Sequence, residues 1–101
     1  MISEKIVQLD GMIHSKIRLA LLSILISVKH ADFNYLKKTI GASDGNLSTH
    51  LSKLEEAGYV LVKKSFKDKK PHTVYSISDK GKKSFLKYLE ALDSLLHHHK
   101  K

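Results

Sequence analysis

Residues 43–60, with the sequence SDGNLSTHLSKLEEAGYV, carry the strongest structural signal of the chain. Ser43 is a favoured N-cap residue, and Gly58 is the residue type at which many helices end. Between them, three leucines recur at spacings of four and three and form one apolar face: Leu47, Leu51 and Leu54. The segment therefore predicts a helix over residues 43–57, buried on one side and polar on the other.

A β-hairpin with a basic tip is predicted directly after this helix. Residues 59–66 and 72–77 are rich in β-branched and aromatic side chains, which favour strands. The segment between them, residues 67–71, reads KDKKP and is polar and basic. Pro71 is expected at the edge of this loop, where it removes no hydrogen bond of the sheet.

The rest of the chain predicts a long helix over residues 79–97, with Ser78 as its N-cap. Its apolar side chains recur at spacings of four, three and four: Phe85, Leu89, Leu92 and Leu96. Packing within the chain and a homodimer seam are both open for this stripe, and we favour the seam because a small domain has little surface left to cover a terminal helix. Three side chains of the N-terminal arm, residues 1–14, are expected to join it: Ile6, Leu9 and Ile13.

Two more helices are predicted upstream, over residues 15–28 and 33–40, the second with Asp32 as N-cap and Gly41 as its end. The order helix, helix, helix, hairpin, helix indicates a winged helix-turn-helix fold, of class α+β but mainly α, with a two-stranded basic wing and a C-terminal dimerisation helix. In this fold the third helix enters the major groove of DNA. The length of 101 residues suits one such domain over residues 1–101.

Sequence motifs support the same fold. Residues 48–60 resemble the S-x-H-L-x-x-L-x-x-A-G-x-V signature of winged-helix regulators of the ArsR and MarR type, and residues 75–81 are similar to their Y-x-[LI]-[ST]-x-x-G junction between strand and helix. The resemblance is greatest to small, mainly archaeal proteins of this kind and covers residues 9–96. It implies a homodimeric, DNA-binding transcriptional regulator of archaeal type.

The outer face of helix 43–57 supplies the candidate residues for reading DNA bases. Asn46 can pair bidentately with adenine, and Thr49 can contact a thymine methyl group. Phosphate contacts are expected from Ser48, Ser52 and Lys53. His50 lies at the boundary of this face, where packing and DNA contact are equally expected. For each of these residues, the alternative is an ordinary solvated polar position.

Positive charge is concentrated in the second half of the chain. The net charge is +8, and residues 1–57 contain seven basic side chains against six acidic ones, whereas residues 58–101 contain eleven lysines against four acids. This distribution favours a polyanionic partner, with solubility as the alternative. In the wing, residues 63–72, four lysines are predicted to bind the DNA backbone: Lys64, Lys67, Lys69 and Lys70.

Other classes of function have little support in the sequence. There is no phosphate-binding glycine loop, nucleophile motif or HExxH motif, so we expect neither an enzyme nor a cofactor. Asp93 and residues 97–99 offer a possible zinc site, but a plain terminal tail is the stronger expectation, and no metal is predicted. Cysteine is absent, and the longest apolar stretch, residues 19–28, is too short to span a bilayer, so we expect a cytoplasmic protein without a membrane partner.

The sequence thus predicts a homodimeric, sequence-specific regulator that binds double-stranded DNA, with helix 43–57 in the major groove and wing 63–72 on the backbone or in the minor groove. Two alternatives stay open: an architectural DNA binder without sequence preference, and a winged-helix module that binds an acidic protein. Arg18 is the only arginine, so the strongest reader of guanine is missing from helix 43–57. No small-molecule effector can be deduced from these residues.

Overall fold

The structure is a computed structural model that describes residues 9–97. Its elements, in chain order, are α1 (Lys16–Leu25), β1 (Ala31–Asp32), α2 (Phe33–Ile40), α3 (Asp44–Glu56), β2 (Val60–Lys67), β3 (Lys70–Ile77) and α4 (Asp79–His97). This order confirms the predicted winged helix-turn-helix fold. Ile6 of the predicted dimer seam lies outside the described residues, as do His98 and His99 of the tail.

The predicted helix caps are confirmed. The side chains of Ser43 and Asp32 accept hydrogen bonds from the third backbone N–H that follows each of them, at 3.2 Å and 2.8 Å. Gly41 closes α2 with a φ of 78°, in the left-handed region that glycine adopts without a steric penalty. Helix α1 is shorter than predicted, because at its end the Ser27 hydroxyl and backbone N–H both turn back to the carbonyl of Ile24, at 2.8 Å and 3.1 Å.

The sheet has three antiparallel strands in the order β1-β3-β2, one more than the sequence predicted. Strand β1 is only two residues long and pairs Ala31 with Tyr75 and Asp32 with Val74. Two residues cannot show the alternation of apolar and polar side chains by which strands are recognised in a sequence. The pairing with β3 is therefore visible only in the folded chain.

The wing is longer and its turn tighter than predicted. Strands β2 and β3 extend to Lys67 and Lys70, which leaves a two-residue turn, Asp68 and Lys69, with φ of 53° and 66°. Positive φ at both central residues is typical of the type I′ turn, which matches the twist of the two strands. Pro71 consequently lies within β3, opposite Phe66. Along an antiparallel ladder, hydrogen-bonded and non-hydrogen-bonded pairs alternate. Lys67 and Lys70 form the hydrogen-bonded pair that flanks the turn, so Phe66 and Pro71 form a non-hydrogen-bonded pair, in which proline loses no sheet hydrogen bond.

The hydrophobic core lies between α1, α2, α3, the base of the hairpin and the first half of α4. Its fully buried side chains are Ile13, Leu21, Leu22, Leu25, Leu36, Leu47, Leu54 and Val60. Ile13 and Phe85 require a correction to the sequence analysis, which assigned them to the dimer seam: they are 0% and 4% exposed within the protomer. Both side chains pack into the core of the protomer, and the exposed apolar surface of the predicted seam lies on Leu89 and Leu96.

None of the helices among residues 9–97 is long and apolar enough to cross a membrane.

Candidate nucleic-acid interface

Helix α3 presents its polar face to solvent. The three leucines that anchor it are buried, and its exposed positions are Gly45, Asn46, Ser48, Thr49, Ser52 and Lys53, with the acidic residues at its two ends. The structure thus places five predicted DNA-binding side chains of this helix on one accessible side. His50 alone is half-buried.

Two interactions hold the ends of α3. At its N-terminus the Lys37 ammonium group lies 2.7 Å from the Asp44 carboxylate and joins α2 to α3; both side chains are exposed, so this ion pair contributes little stability. At its C-terminus, Gly58 and Tyr59 donate backbone hydrogen bonds to Glu55 and Leu54, both at 2.9 Å. This is the pattern of a Schellman motif, and Gly58 supports it with a φ of 81°.

Lys80 has a structural role that the sequence did not reveal. Its ammonium group donates a hydrogen bond to the carbonyl of Ala57 at 2.8 Å and lies 5.5 Å from the centre of the Tyr59 ring. A cation at this point complements the negative end of the α3 dipole. Lys80 therefore stabilises the end of α3 instead of simply adding to the basic surface of α4.

The junction between β3 and α4 explains the second motif of the sequence. The Ser78 hydroxyl donates to the carbonyl of Gly58 at 2.6 Å and accepts from the backbone N–H of Gly81 at 2.9 Å. Gly81 packs so closely that an added Cβ would lie 2.2 Å from the carbonyl oxygen of Tyr59. Serine and glycine at this spacing thus bind the start of α4 to the turn after α3, which fixes the wing relative to the exposed face of α3.

His50 is tied to α1 through Arg18. The guanidinium Nη1 lies 2.9 Å from Nδ1 of the imidazole, and Nε of Arg18 donates to the carbonyl of Met12 at 2.6 Å. Since arginine only donates, Nδ1 of His50 accepts and carries no proton. Burial lowers the pKa of His50 below 6.5, and the charges of Arg18 and Lys53 lower it further. At neutral pH the histidine is therefore uncharged, with a proton on Nε2.

We expect this arrangement to make stability depend on pH. Because the pKa of His50 is below 6.5 in the folded chain and near 6.5 in the unfolded chain, the unfolded chain binds more protons between the two values. The stabilisation is complete above 6.5 and is lost as the pH falls toward the folded pKa. An NMR titration of the imidazole should show a midpoint below 6.5, and Arg18→Met should raise it. A midpoint at or above 6.5 in the wild-type protein would contradict the contact with Arg18.

The four predicted wing lysines are all exposed, at the far end of the hairpin. Lys67 and Lys70 lie directly opposite each other next to the turn, Lys69 lies in the turn, and Lys64 lies on the other face of β2. Like charges on opposed cross-strand positions repel each other. Such a cluster is therefore well suited to an anionic partner, which relieves the repulsion when it binds.

Helix α4 leaves part of its apolar surface uncovered within the protomer. Of the predicted seam residues, Leu89 and Leu96 are 41% and 63% exposed, and Leu9 and Leu92 are half-buried. Leu86, which is not among the predicted seam residues, is also exposed. At the end of the helix, Nδ1 of His97 lies 2.8 Å from the carbonyl oxygen of Asp93, and no group of three possible metal ligands occurs within the described part of the chain.

Comparison with known proteins agrees with this architecture. A protein of Methanocaldococcus jannaschii, described as uncharacterized, is 40% identical over 76 residues, which are 75% of this chain and 83% of the relative. A transcriptional regulator homologue protein from Pyrococcus horikoshii OT3 has a similar structure, with a TM-score of 0.88 and 26% identity over the full length of both chains.

A transcriptional regulator of the MarR family from Silicibacter pomeroyi shares the fold, with a TM-score of 0.66 at 15% identity, over 87% of this chain and 58% of that one. The family model described as winged helix DNA-binding domain matches residues 17–96, from α1 to the last turn of α4. This match confirms the resemblance to winged-helix regulators that the sequence motifs indicated. The chain belongs to the winged helix DNA-binding domain family.

Proposed function

We propose that this protein is a homodimeric transcriptional regulator that binds pseudo-palindromic double-stranded DNA with sequence specificity. Helix α3 enters the major groove, and the wing contacts the adjacent backbone or minor groove. One observation carries the proposal: the exposed polar face of α3 and the lysine-rich wing belong to consecutive elements, and the hydrogen bonds of Ser78 hold the turn that joins them. This arrangement supplies base-reading groups and backbone-binding charges together.

The two parts of the interface have separate roles in this proposal. Asn46 and Thr49 lie near the N-terminal end of α3, where side chains of a recognition helix reach the base edges. Lys53 and the wing lysines contact phosphates, which position the protein but carry no sequence information of their own. His50 offers its Nε2 proton at the edge of this surface, while Nδ1 holds Arg18.

Dimerisation is proposed through the exposed leucines of α4, together with the half-buried Leu9. A two-fold dimer places two α3 helices on half-sites about 34–36 Å apart, one turn of DNA. Sedimentation of the free protein and of its DNA complex measures this directly. Two protomers in both samples are expected, and a protein that is monomeric in both would contradict the homodimer.

The DNA proposal is tested by titrating a labelled duplex at several salt concentrations. The logarithm of the binding constant should fall linearly with the logarithm of salt concentration, with a slope of about −0.9 for each phosphate contact. An affinity that does not respond to salt would overturn the proposal and leave an acidic protein as the partner to search for. Selection from random DNA tests specificity, because an architectural binder enriches no motif.

Alanine variants of Asn46 and Thr49 should lower affinity for the selected sequence by about 1–3 kcal/mol each, since each removes a base contact. The salt slope should stay unchanged because no charge is removed. Thr39→Ala, at an exposed position of α2, is the matched control for Thr49→Ala and should bind as the wild type does. Equal affinity of the α3 variants and the wild type for the selected site would remove these residues from the base-reading surface.

A further inference from the structure

The wing carries an exposed apolar pair among its lysines. Phe66 is 77% exposed, more than any other large hydrophobic side chain among residues 9–97. Its cross-strand partner is Pro71, which is exposed as well. Removing an aromatic ring from water is favourable, and an exposed ring does not gain this free energy when the chain folds. Phe66 therefore contributes little to the core and is available to a partner.

The register of the hairpin shows to which side this pair points. Side chains alternate between the two faces of a strand, so Phe66 shares a face of β2 with Lys64, Val62 and the buried Val60. On that same face, Tyr75 lies opposite Val62, and both side chains are partly buried against the hydrophobic core. The face that carries Phe66 is therefore the one that packs against the core near the base of the hairpin.

The spacing along β2 places the pair beyond the core. Four residues separate Phe66 from Val62, which corresponds to roughly 13 Å of extended strand. At that point both side chains are exposed, beyond the part of the hairpin that packs against the core. The pair is also held in place, because Phe66 and Pro71 are direct cross-strand neighbours next to a two-residue turn.

We propose that Phe66 and Pro71 act as an apolar wedge that enters the minor groove of double-stranded DNA, partly unstacks a base step and bends the duplex. The inference rests on the proposed function and adds a mode of contact to it. Phenylalanine and proline are among the side chains that proteins insert between base steps from this groove.

The positive charges around Phe66 and Pro71 favour DNA as the binding partner of this pair. Lys64 shares the face of Phe66, whereas Lys67 and Lys70 are next to the pair in sequence but on the opposite face, and Lys69 lies in the turn. Phosphates line both sides of a minor groove, so these cations can bind them while the rings reach the sugars and bases. A second copy of the same wing would instead meet like charge on every side.

Bending can supply sequence preference at positions that α3 does not contact. Pyrimidine–purine steps such as TA and CA unstack and kink more easily than others, so a wedge favours sites that place such a step under the wing. Such a preference compensates in part for the absence from α3 of arginine, the residue that most often recognises guanine.

The test compares Phe66→Ala with Leu61→Ala on one duplex of about 30 base pairs, long enough for two half-sites one turn apart. Leu61 is the matched control, because it is an exposed apolar residue of the same strand on the opposite face, near the base of the hairpin. Donor and acceptor dyes at the two ends of the duplex report bending through energy transfer, and the same samples give affinity and salt slope. Phe66→Leu is a second variant that keeps an apolar wedge.

Phe66→Ala is expected to bind about tenfold more weakly, with a wild-type salt slope and reduced energy transfer. Leu61→Ala should match the wild type, and Phe66→Leu should retain most of the bend. If the wild type bends the duplex and Phe66→Ala bends it equally, or if the wild type binds without bending, the wedge is wrong while the proposed function stands. If the wild type shows no salt-dependent DNA binding, the proposed function fails and the wedge with it.

Discussion

Replacement of Gly81 by alanine is expected to destabilise the protein by about 3 kcal/mol, the upper part of the range for overpacking a filled site. The added methyl group would lie 2.2 Å from the carbonyl oxygen of Tyr59 and 2.9 Å from Cγ1 of Ile77. One of these contacts is with backbone, so a side-chain rotation cannot relieve it. The start of α4 would have to move away from the turn after α3, and the hydrogen bonds of Ser78 would weaken with it.

Thermal unfolding followed by circular dichroism measures this effect. For a domain of this size, a loss of 3 kcal/mol lowers the melting temperature by roughly 12–24 °C. Gly45→Ala is the matched control, because its Cβ would meet nothing within 4 Å and alanine favours a helix. That variant should melt at or slightly above the wild-type temperature. If Gly81→Ala melted within a few degrees of the wild type, the close packing of α4 on Tyr59 would be contradicted.

Neutralising three wing lysines together, Lys67→Gln, Lys69→Gln and Lys70→Gln, is expected to lower DNA affinity by roughly 10²-fold or more near 0.1 M salt. Each lysine that contacts a phosphate releases about 0.9 of a counterion, so the slope against salt concentration should become shallower by about 2.7. The fold should persist, because all three side chains are exposed and distant from the core. Fluorescence anisotropy over a series of salt concentrations gives both quantities.

A control with the same change of net charge separates contact from long-range attraction. Lys82, Lys83 and Lys87 are exposed on α4, and their glutamine variants remove three charges outside the wing. This control should leave the slope close to that of the wild type. Equal effects of the two triple variants would mean that overall charge, and not the wing, determines the affinity.

The elements whose signals are local were predictable from the sequence. Ser43, Asp32 and Gly41 act on backbone groups within four residues, so residue type and spacing were enough to locate the ends of α2 and α3. The exposed face of α3 followed from the period of its three leucines. The candidate DNA-reading surface was therefore present in the sequence before any tertiary contact was known.

The dimer stripe shows where such local reasoning ends. Helical spacing groups Phe85 with Leu89 and Leu96 on α4, but it does not tell which part of that face the rest of the chain covers. In the structure Phe85 is buried in the core and Leu92 packs partly against it, whereas Leu89 and Leu96 are exposed. The exposure of Leu86 likewise depends on how α4 packs against the rest of the chain.

By itself, the sequence determined the order of the helices, the position of the hairpin, the polar face of α3 and the concentration of lysines on the wing. These properties depend on residue type and on neighbours within a turn or two. Tertiary structure alone decided the β1–β3 pairing, the hold of Arg18 on His50, the hold of Lys80 on Ala57 and the direction in which Phe66 points. In the first three, folding joins groups more than 20 residues apart in the chain; the last follows from strand register and burial. Neither the long-range contacts nor the burial of each strand face can be deduced from the spacing of residues that are neighbours in the sequence.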